Sequence, residues 1–241
     1  MSQCKNCQAP LENAYCSRCG QRDVDLERPI WGLIAGVLKE SFELDGRAAV
    51  TIKTLFRHPG MLTSEFLAGR RRAYTSPLRL YLVISISFFV LVAWFARSGI
   101  LLDPGQDPNF DAAVQAGFLA DDLPRLMFIL LPIFALLLKI VFLKRLYFDH
   151  LIFSLHLHSA AYVVLAVMLP LETLADRNVA MLLLQVLSLV ALVAYFVIAL
   201  RRVYQPTWFA VSWKSVVVIF AYMVIVSIAI ENTSDFLIIA D

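Results

Sequence analysis

After residue 79 the chain alternates long apolar runs with short polar breaks, and the runs predict the architecture. They cover residues 80–96, 126–143, 151–171, 179–200 and 215–230. A hydrocarbon core about 30 Å thick needs roughly 20 residues of α-helix, with about 17–25 as the working range. The second run fits once Lys139 carries its ammonium toward the interface. The last is short, and Trp208, Trp213 and Lys214 extend it as interfacial anchors. The expectation is an all-α integral membrane protein whose five transmembrane helices fill residues 80–241.

A different pattern precedes the first run. Ile30, Trp31, Ile34, Val37, Leu38 and Phe42 recur at helical spacing, with Lys39, Glu40 and Glu43 on the opposite face. Asp45 and Gly46 break the helix, and a second stretch over residues 48–56 ends at His58, Pro59 and Gly60. A third short helix over residues 63–67 starts at Thr63 as its cap and turns Phe66 and Leu67 to the bilayer. Residues 23–79 therefore read as amphipathic helices lying along the membrane surface. A small helical hairpin packed on the membrane bundle fits the same pattern.

Composition agrees with the runs. Sixty per cent of the 241 residues are hydrophobic and 17% are charged, against about 25% charged in soluble domains. A mean hydropathy of +0.72 excludes a soluble enzyme, a disordered chain and a disulfide scaffold. The net charge of +2 hides two opposed populations. Through residue 79 there are 12 Lys or Arg against 8 Asp or Glu, and beyond it 9 against 11.

Arg70, Arg71, Arg72 and Arg79, then Lys144 and Arg145, then Arg201, Arg202 and Lys214 fall on one side of the membrane. Asp103, Asp107, Asp111, Asp121 and Asp122, then Glu172 and Asp176, then Glu231, Asp235 and Asp241 fall on the other, with only Arg97, Arg125 and Arg177 among them. The positive-inside rule then predicts a cytoplasmic N-terminus and an external C-terminus.

All four cysteines lie in residues 1–22, as Cys4-x2-Cys7 and Cys16-x2-Cys19. Two such pairs present four thiolates to one tetrahedral Zn²⁺. Asn6 and Gly20 suit the turns, since each tolerates positive φ. A pair of disulfides or a redox Cys-x2-Cys would share the spacing, but a reducing cytoplasm disfavours the disulfides. Four sulfur ligands leave no open position for catalysis, so the expected zinc is structural. With Tyr15 as its one aromatic, the module lacks a stacking platform for nucleic acid, which points instead to a cytosolic protein partner or a structural clamp.

Just before the first run stand Gly69, Arg70, Arg71, Arg72 and Tyr74, followed by Pro77 and Arg79. The arginines enforce topology in any reading. A sharper reading has Gly69 end a surface helix so that Arg70, Arg71, Arg72, Tyr74 and Arg79 face anionic lipid headgroups, which arginine forks bind bidentately.

Tyr15-Cys16-x2-Cys19-Gly20-Gln21, Arg57-x-Pro59-Gly60 and Gly69-Arg70-Arg71-x2-Tyr74-x2-Pro77 resemble the motifs of a bacterial membrane family known as a domain of unknown function. Asp149, His150 and Leu151, through to His158, resemble its later Glu-His segment, with aspartate in place of glutamate. The resemblance implies bacterial origin and an inner-membrane location, and it carries no activity.

Three of the four histidines fall in residues 149–159, at the start of the third run. Asp149 and His156 share one helical face, while His150, Ser154 and His158 form a second stripe. Ionisable groups inside a span are functional candidates. Here they admit three roles: polar contacts between helices, lipid or proton handling, and a metal centre. No phosphate loop, nucleophile elbow or His-Glu-x2-His motif accompanies them. The expected function is a non-enzymatic membrane module that docks a cytosolic partner through the ribbon and contacts anionic lipid. A lipid-handling enzyme or transporter built on Asp149, His150, His156 and His158 is the alternative.

Overall fold

The computed structural model describes residues 3–11, 13–23, 47–98, 112–175 and 179–240, and the side chains of these except 112–114, 171–175 and 234–240. The helix expected around Ile30 to Phe42 lies outside the described residues, as do Asp103, Asp107, Asp111, Asp176, Arg177 and Asp241.

Helices α1 (Arg47–Arg57) and α2 (Met61–Leu67) precede α3 (Pro77–Arg97). Helix α4 (Ala112–Gly117) continues through a π-helical turn (Phe118–Asp122) into α5 (Leu123–Val141). Then follow α6 (Tyr147–Ala175), α7 (Val179–Tyr204) and α8 (Trp208–Ala240). Five stretches are long and apolar enough to cross a membrane: Pro77–Arg97, Gln115–Val141, Tyr147–Pro170, Val179–Tyr204 and Trp208–Thr233. The chain is a multi-pass membrane protein.

Local chemistry sets the ends of the spans. Pro77 opens α3, where its missing N–H costs nothing and its fixed φ suits a first turn. Helix α5 stops at Val141 rather than running to Leu143, because Lys139 folds back and donates to the carbonyls of Leu143 (2.8 Å) and Arg145 (2.6 Å). Its ammonium thus satisfies carbonyls just past the helix end, where cations are favoured. The fifth span begins earlier than its apolar run. Thr207 caps it, its hydroxyl accepting from the Ala210 N–H at 3.2 Å, and Trp208 stands at the first turn with the Arg201 guanidinium 4.0 Å from its ring centroid.

The third span is the axis of the bundle. Half of its central residues are buried, against 6% in the fourth and 11% in the fifth. Helix α6 packs on α3, α5 and α7. One apolar cluster ties Phe153 to Phe134, Leu138, Phe196, Leu200 and Val211, joining α5 to α8. Another ties Ile152, Leu155 and Tyr162 to Tyr81, Phe88 and Leu131 of α3 and α5.

Helices α1 and α2 form a wedge against this bundle. The α1 face made of Thr51, Thr54 and Leu55 is buried, and Leu55 and Leu62 pack with Leu80 and Ala160 of the first and third spans. Phe66, expected to turn to the bilayer, is half-buried and meets Phe148 with ring centroids 6.5 Å apart. Leu67 likewise packs onto the bundle clusters. Thr63 is not the cap of α2. Gly60 holds that position at φ 76°, and Thr63 lies one turn inside with its hydroxyl on His156.

Two backbone contacts fasten the wedge to the fourth span. The Tyr195 hydroxyl donates to the Leu55 carbonyl (3.0 Å), and Arg202 donates to the Pro59 carbonyl (2.7 Å). Gly60 sits between them, against α7. A Cβ there would lie 2.8 Å from the Ala199 carbonyl oxygen and 3.0 Å from its Cα. Main chain meets main chain, so neither side has a flexible atom to move.

Gly60→Ala is therefore expected to destabilise the protein by about 1–3 kcal/mol through positive φ and backbone overlap, read as a lower midpoint of thermal unfolding in detergent. Gly117→Ala is the control. Its backbone is helical and nothing lies within 4 Å of the new methyl, so no loss is expected.

Candidate metal centre and the basic turn beneath it

The two Cys-x2-Cys segments fold as copies of one knuckle. In the first, the Cys4 N–H donates to Ala9 and the Gln8 N–H returns to Cys4, both at 2.9 Å. In the second, the Cys16 N–H donates to Gln21 (2.9 Å) and the Gly20 N–H returns to Cys16 (2.8 Å). Isolated bridges Gln3–Pro10 and Tyr15–Arg22 close the bases in the same register. The positive-φ positions are equivalent too: Gln8 at 64° and Gly20 at 70°. Asn6, expected to supply the first turn's positive φ, does not do so. The left-handed residue follows the second cysteine of each pair, and the first knuckle places a glutamine there at a conformational cost.

The sulfurs converge. Cys4 and Cys19 are 3.6 Å apart, Cys7 and Cys16 are 3.6 Å apart, and all four lie within 4.8 Å of one another. A disulfide needs about 2.05 Å, so the cysteines are free thiols. Four sulfurs about 2.3 Å from a central ion, as Zn–S bonds are, would stand roughly 3.8 Å apart in a tetrahedron, and the quartet has that size.

Backbone N–H groups aim at the sulfurs. The Cys16 thiol is drawn down to about 6, first by the N–H of Cys19 and then, against burial, by that of Arg18. Cys19 is lowered foremost by the Gln21 N–H. At Cys7 the Ala9 N–H pulls down, but burial and the three neighbouring sulfurs outweigh it and push the thiol up to about 11. A cation at the centre would share the charge of all four sulfurs and favour their thiolate forms together. Among the described residues it is the one cluster of three or more potential metal ligands.

The module is seated on the turn that follows α2. Helix α2 ends in a Schellman motif: the Gly69 N–H bonds to Phe66 (3.0 Å), the Arg70 N–H bonds to Glu65 (2.9 Å), and Gly69 takes φ 81°. Gln21, in the second knuckle, reads this turn with both ends of its amide. Its Nε2 donates to the Gly69 carbonyl at 2.6 Å, and its Oε1 accepts the Arg71 N–H at 3.1 Å. The Lys5 stem presses on Gly69, where a Cβ would fall 2.7 Å from its Cδ. The Arg72 guanidinium lies 3.9 Å from the equivalent point on Gly20.

The arginines of the turn thus take different places. Arg70 forms a two-armed pair with Glu65, both bonds 2.6 Å, and holds the Glu65 carboxyl below the usual carboxylate range. Arg71 lies over the Phe66 ring, 4.6 Å from its centroid. Arg72 is exposed, Arg79 is half-buried, and Tyr74 packs beside the cluster of Leu55, Leu62 and Leu80.

The histidines of the third span part company. His156 meets Thr63 of the wedge (Nδ1 to Oγ1, 2.9 Å), and His150 meets the Tyr204 hydroxyl of the fourth span (2.7 Å) while stacking on its ring. His158 reaches the Tyr222 hydroxyl of the fifth (3.1 Å). Its Nδ1 faces the Ser154 carbonyl at 2.9 Å, so that nitrogen carries the proton and Nε2 accepts from Tyr222. Asp149 lies 4.0 Å from Arg145, near the helix start. The two stripes lead to three different elements. Gln21 entered the sequence reading only within a motif, without a role, and Tyr204 and Tyr222 escaped it, although lone hydroxyls on apolar helices are the natural partners to seek for buried imidazoles.

Gln8→Gly removes the left-handed strain from the first knuckle. It is expected to tighten metal binding by about 1 kcal/mol, roughly fivefold, in a competition titration against a chromogenic chelator. Unchanged affinity would mean that the strain is relieved elsewhere.

Residues 45–89 match the family described as "Protein of unknown function (DUF3667)". Neither a curated protein nor a solved structure matches the chain. The matched segment takes in both helices of the wedge, the turn under the ribbon and the first half of α3, and stops short of both the cysteines and the third span. Over that segment, the seat of the metal centre, the chain is similar to an uncharacterised family.

Proposed function

We propose that the chain is a non-enzymatic module of the bacterial cytoplasmic (inner) membrane, with its N-terminus cytoplasmic and its C-terminus outside. Its ribbon holds zinc and docks a cytosolic protein, and its basic end contacts anionic lipid. The observation that carries this reading is the two-ended Gln21 amide, which ties the ribbon to the turn preceding the first span. A module so held presents a fixed face. Tyr15, 59% exposed, stands on that face with exposed Ser17 and Arg18, and tyrosine and arginine are the side chains that most often anchor interfaces.

Zinc suits the donors, because four thiolates in a closed tetrahedron select a redox-inert, borderline-soft ion. With every position taken by sulfur, its role is to hold the fold. The orientation rests on where the cations gather. Arg145 donates to Val203 and Lys214 to Val141, so the 142–146 and 205–207 connections share an end with the wedge. Exposed Arg72 and half-buried Arg79 belong to the same basic end as Arg70 and Arg71, and supply charge toward an anionic leaflet.

The purified chain is expected to carry one zinc per molecule, unchanged in His150→Ala, His156→Ala and His158→Ala. A second equivalent lost in those variants would turn the reading toward a histidine metal centre. Cys16→Ser should lose the zinc and remain in the membrane.

Gln21→Ala separates seating from metal binding. It should keep the zinc, speed amide exchange around Gly69 and Arg71, and abolish capture of the cytosolic protein that wild type retains. If Gln21→Ala and Tyr15→Ala both capture that protein like wild type, the ribbon is not its docking site.

A further inference from the structure

The wedge carries a basic edge that the metal centre does not use. Helix α1 has three longitudinal faces. Thr51, Thr54 and Leu55 point inward. Lys53 and Arg57, one turn apart, point outward and are exposed, while Ile52 and Phe56, also one turn apart, leave apolar surface exposed beside them. A helix with a buried face, an apolar flank and a cationic edge is built to lie in a headgroup layer.

At the end of α1 the chain turns through His58 and Pro59, and Arg202 of the fourth span arrives there to donate one guanidinium N–H to the Pro59 carbonyl (2.7 Å). That bond fixes Arg202 two residues from Arg57 and leaves the rest of its fork exposed. The Arg57 side chain forms no hydrogen bond or ion pair among the described residues, and no carboxylate among them pairs with Lys53, His58 or Arg202. Among the described residues, Glu65 is committed to Arg70 and Asp149 to Arg145. A neighbouring aromatic pair marks the depth. Arg201 lies over Trp208, itself 57% exposed, and the adjacent Phe209 is 82% exposed. Tryptophan at a span end sits at the headgroup level, so the cations beside it stand where lipid phosphates do.

We propose that Arg57 and Arg202, with the exposed His58 between them in sequence, bind the phosphate of an anionic membrane lipid. The site deepens the lipid contact of the reading above and moves it from the turn under the ribbon to the outer edge of the wedge. Two guanidinium groups offer a phosphate paired, planar N–H donors. The close fit of the Gly60 turn on Ala199 keeps the chain that carries Arg57 beside the helix that carries Arg202.

The test uses the full chain in nanodiscs of phosphatidylcholine doped with phosphatidylglycerol, with bound lipid read by native mass spectrometry. Wild type should retain phosphatidylglycerol over phosphatidylcholine. Arg57→Gln, which breaks no side-chain hydrogen bond or ion pair, should lower that retention about fivefold, the worth of one charge near the surface, and Arg57→Lys should restore part of it. Arg57→Gln with Arg202→Gln should lower it about thirtyfold on the same scale, with circular dichroism and zinc content confirming that the chain is folded.

Inorganic phosphate at millimolar concentration should not displace the lipid, and displacement would overturn the membrane assignment in favour of a free anion. Wild-type retention in both glutamine variants, with loss in Arg72→Gln and Arg79→Gln, would overturn this site and leave the broader lipid reading standing. No preference for phosphatidylglycerol in wild type would overturn both.

Discussion

A bilayer offers no hydrogen-bond partner, so every polar group carried into it must be met by another part of the chain. That constraint is concentrated on the third span. Within three turns it carries His150, Ser154, His156, His158 and Ser159, all buried. The serines return their hydroxyls to the carbonyls four residues back. His158 also returns its Nδ1 to the Ser154 carbonyl, yet each imidazole reaches beyond its own helix and recruits a different element: the wedge, the fourth span and the fifth. The helix at the centre of the bundle is therefore also the one that sets the positions of its neighbours, and apolar packing fills the space between these fixed points. Two demands remain unmet among the described residues of this helix, since His150 Nε2 and the Tyr162 hydroxyl are buried without a hydrogen-bond partner.

The parts legible in the sequence were those decided by composition or strict spacing. Some twenty consecutive apolar residues have few stable homes other than a membrane, and two Cys-x2-Cys pairs have few geometries in which four sulfurs meet. Both stand in the structure. The wedge was ambiguous because an amphipathic helix finds a similar environment against lipid and against a lipid-facing bundle. Only tertiary partners decide, and those of α1 and α2 lie on α6 and α7, far along the chain. Thr63 looked like a cap because threonine before a short apolar stretch normally is one. Its hydroxyl went instead to His156, and Gly60 took the capping position through a conformation that threonine avoids.

The basic turn shows a second kind of limit. Its arginines are countable in the sequence, yet their availability is not. Glu65 claims Arg70 because the Schellman turn at Gly69 reverses the chain and returns the guanidinium to the helix it has just left. The same turn exposes a backbone carbonyl and an N–H at a spacing that fits one side-chain amide, and Gln21 fills it. Neither relation has a local signature. Both follow from a single left-handed glycine, which explains why the motif before the first span reads as charge but functions in the structure largely as a socket.

The fastening of the wedge has a consequence for how the molecule is assembled. The bonds that fix it, Leu55 to Tyr195 and Pro59 to Arg202, join residues 140 and 143 positions apart. Translation at roughly 5–20 residues per second takes roughly 7–30 s to cover the 143 positions of the longer gap. During that interval the turn at Gly60 exists without the backbone it fits against. The N-terminal third of the chain is thus synthesised early and completed late. Its ribbon is free to fold as soon as metal is available, while the wedge beneath it waits for the fourth helix to be delivered by the insertion machinery.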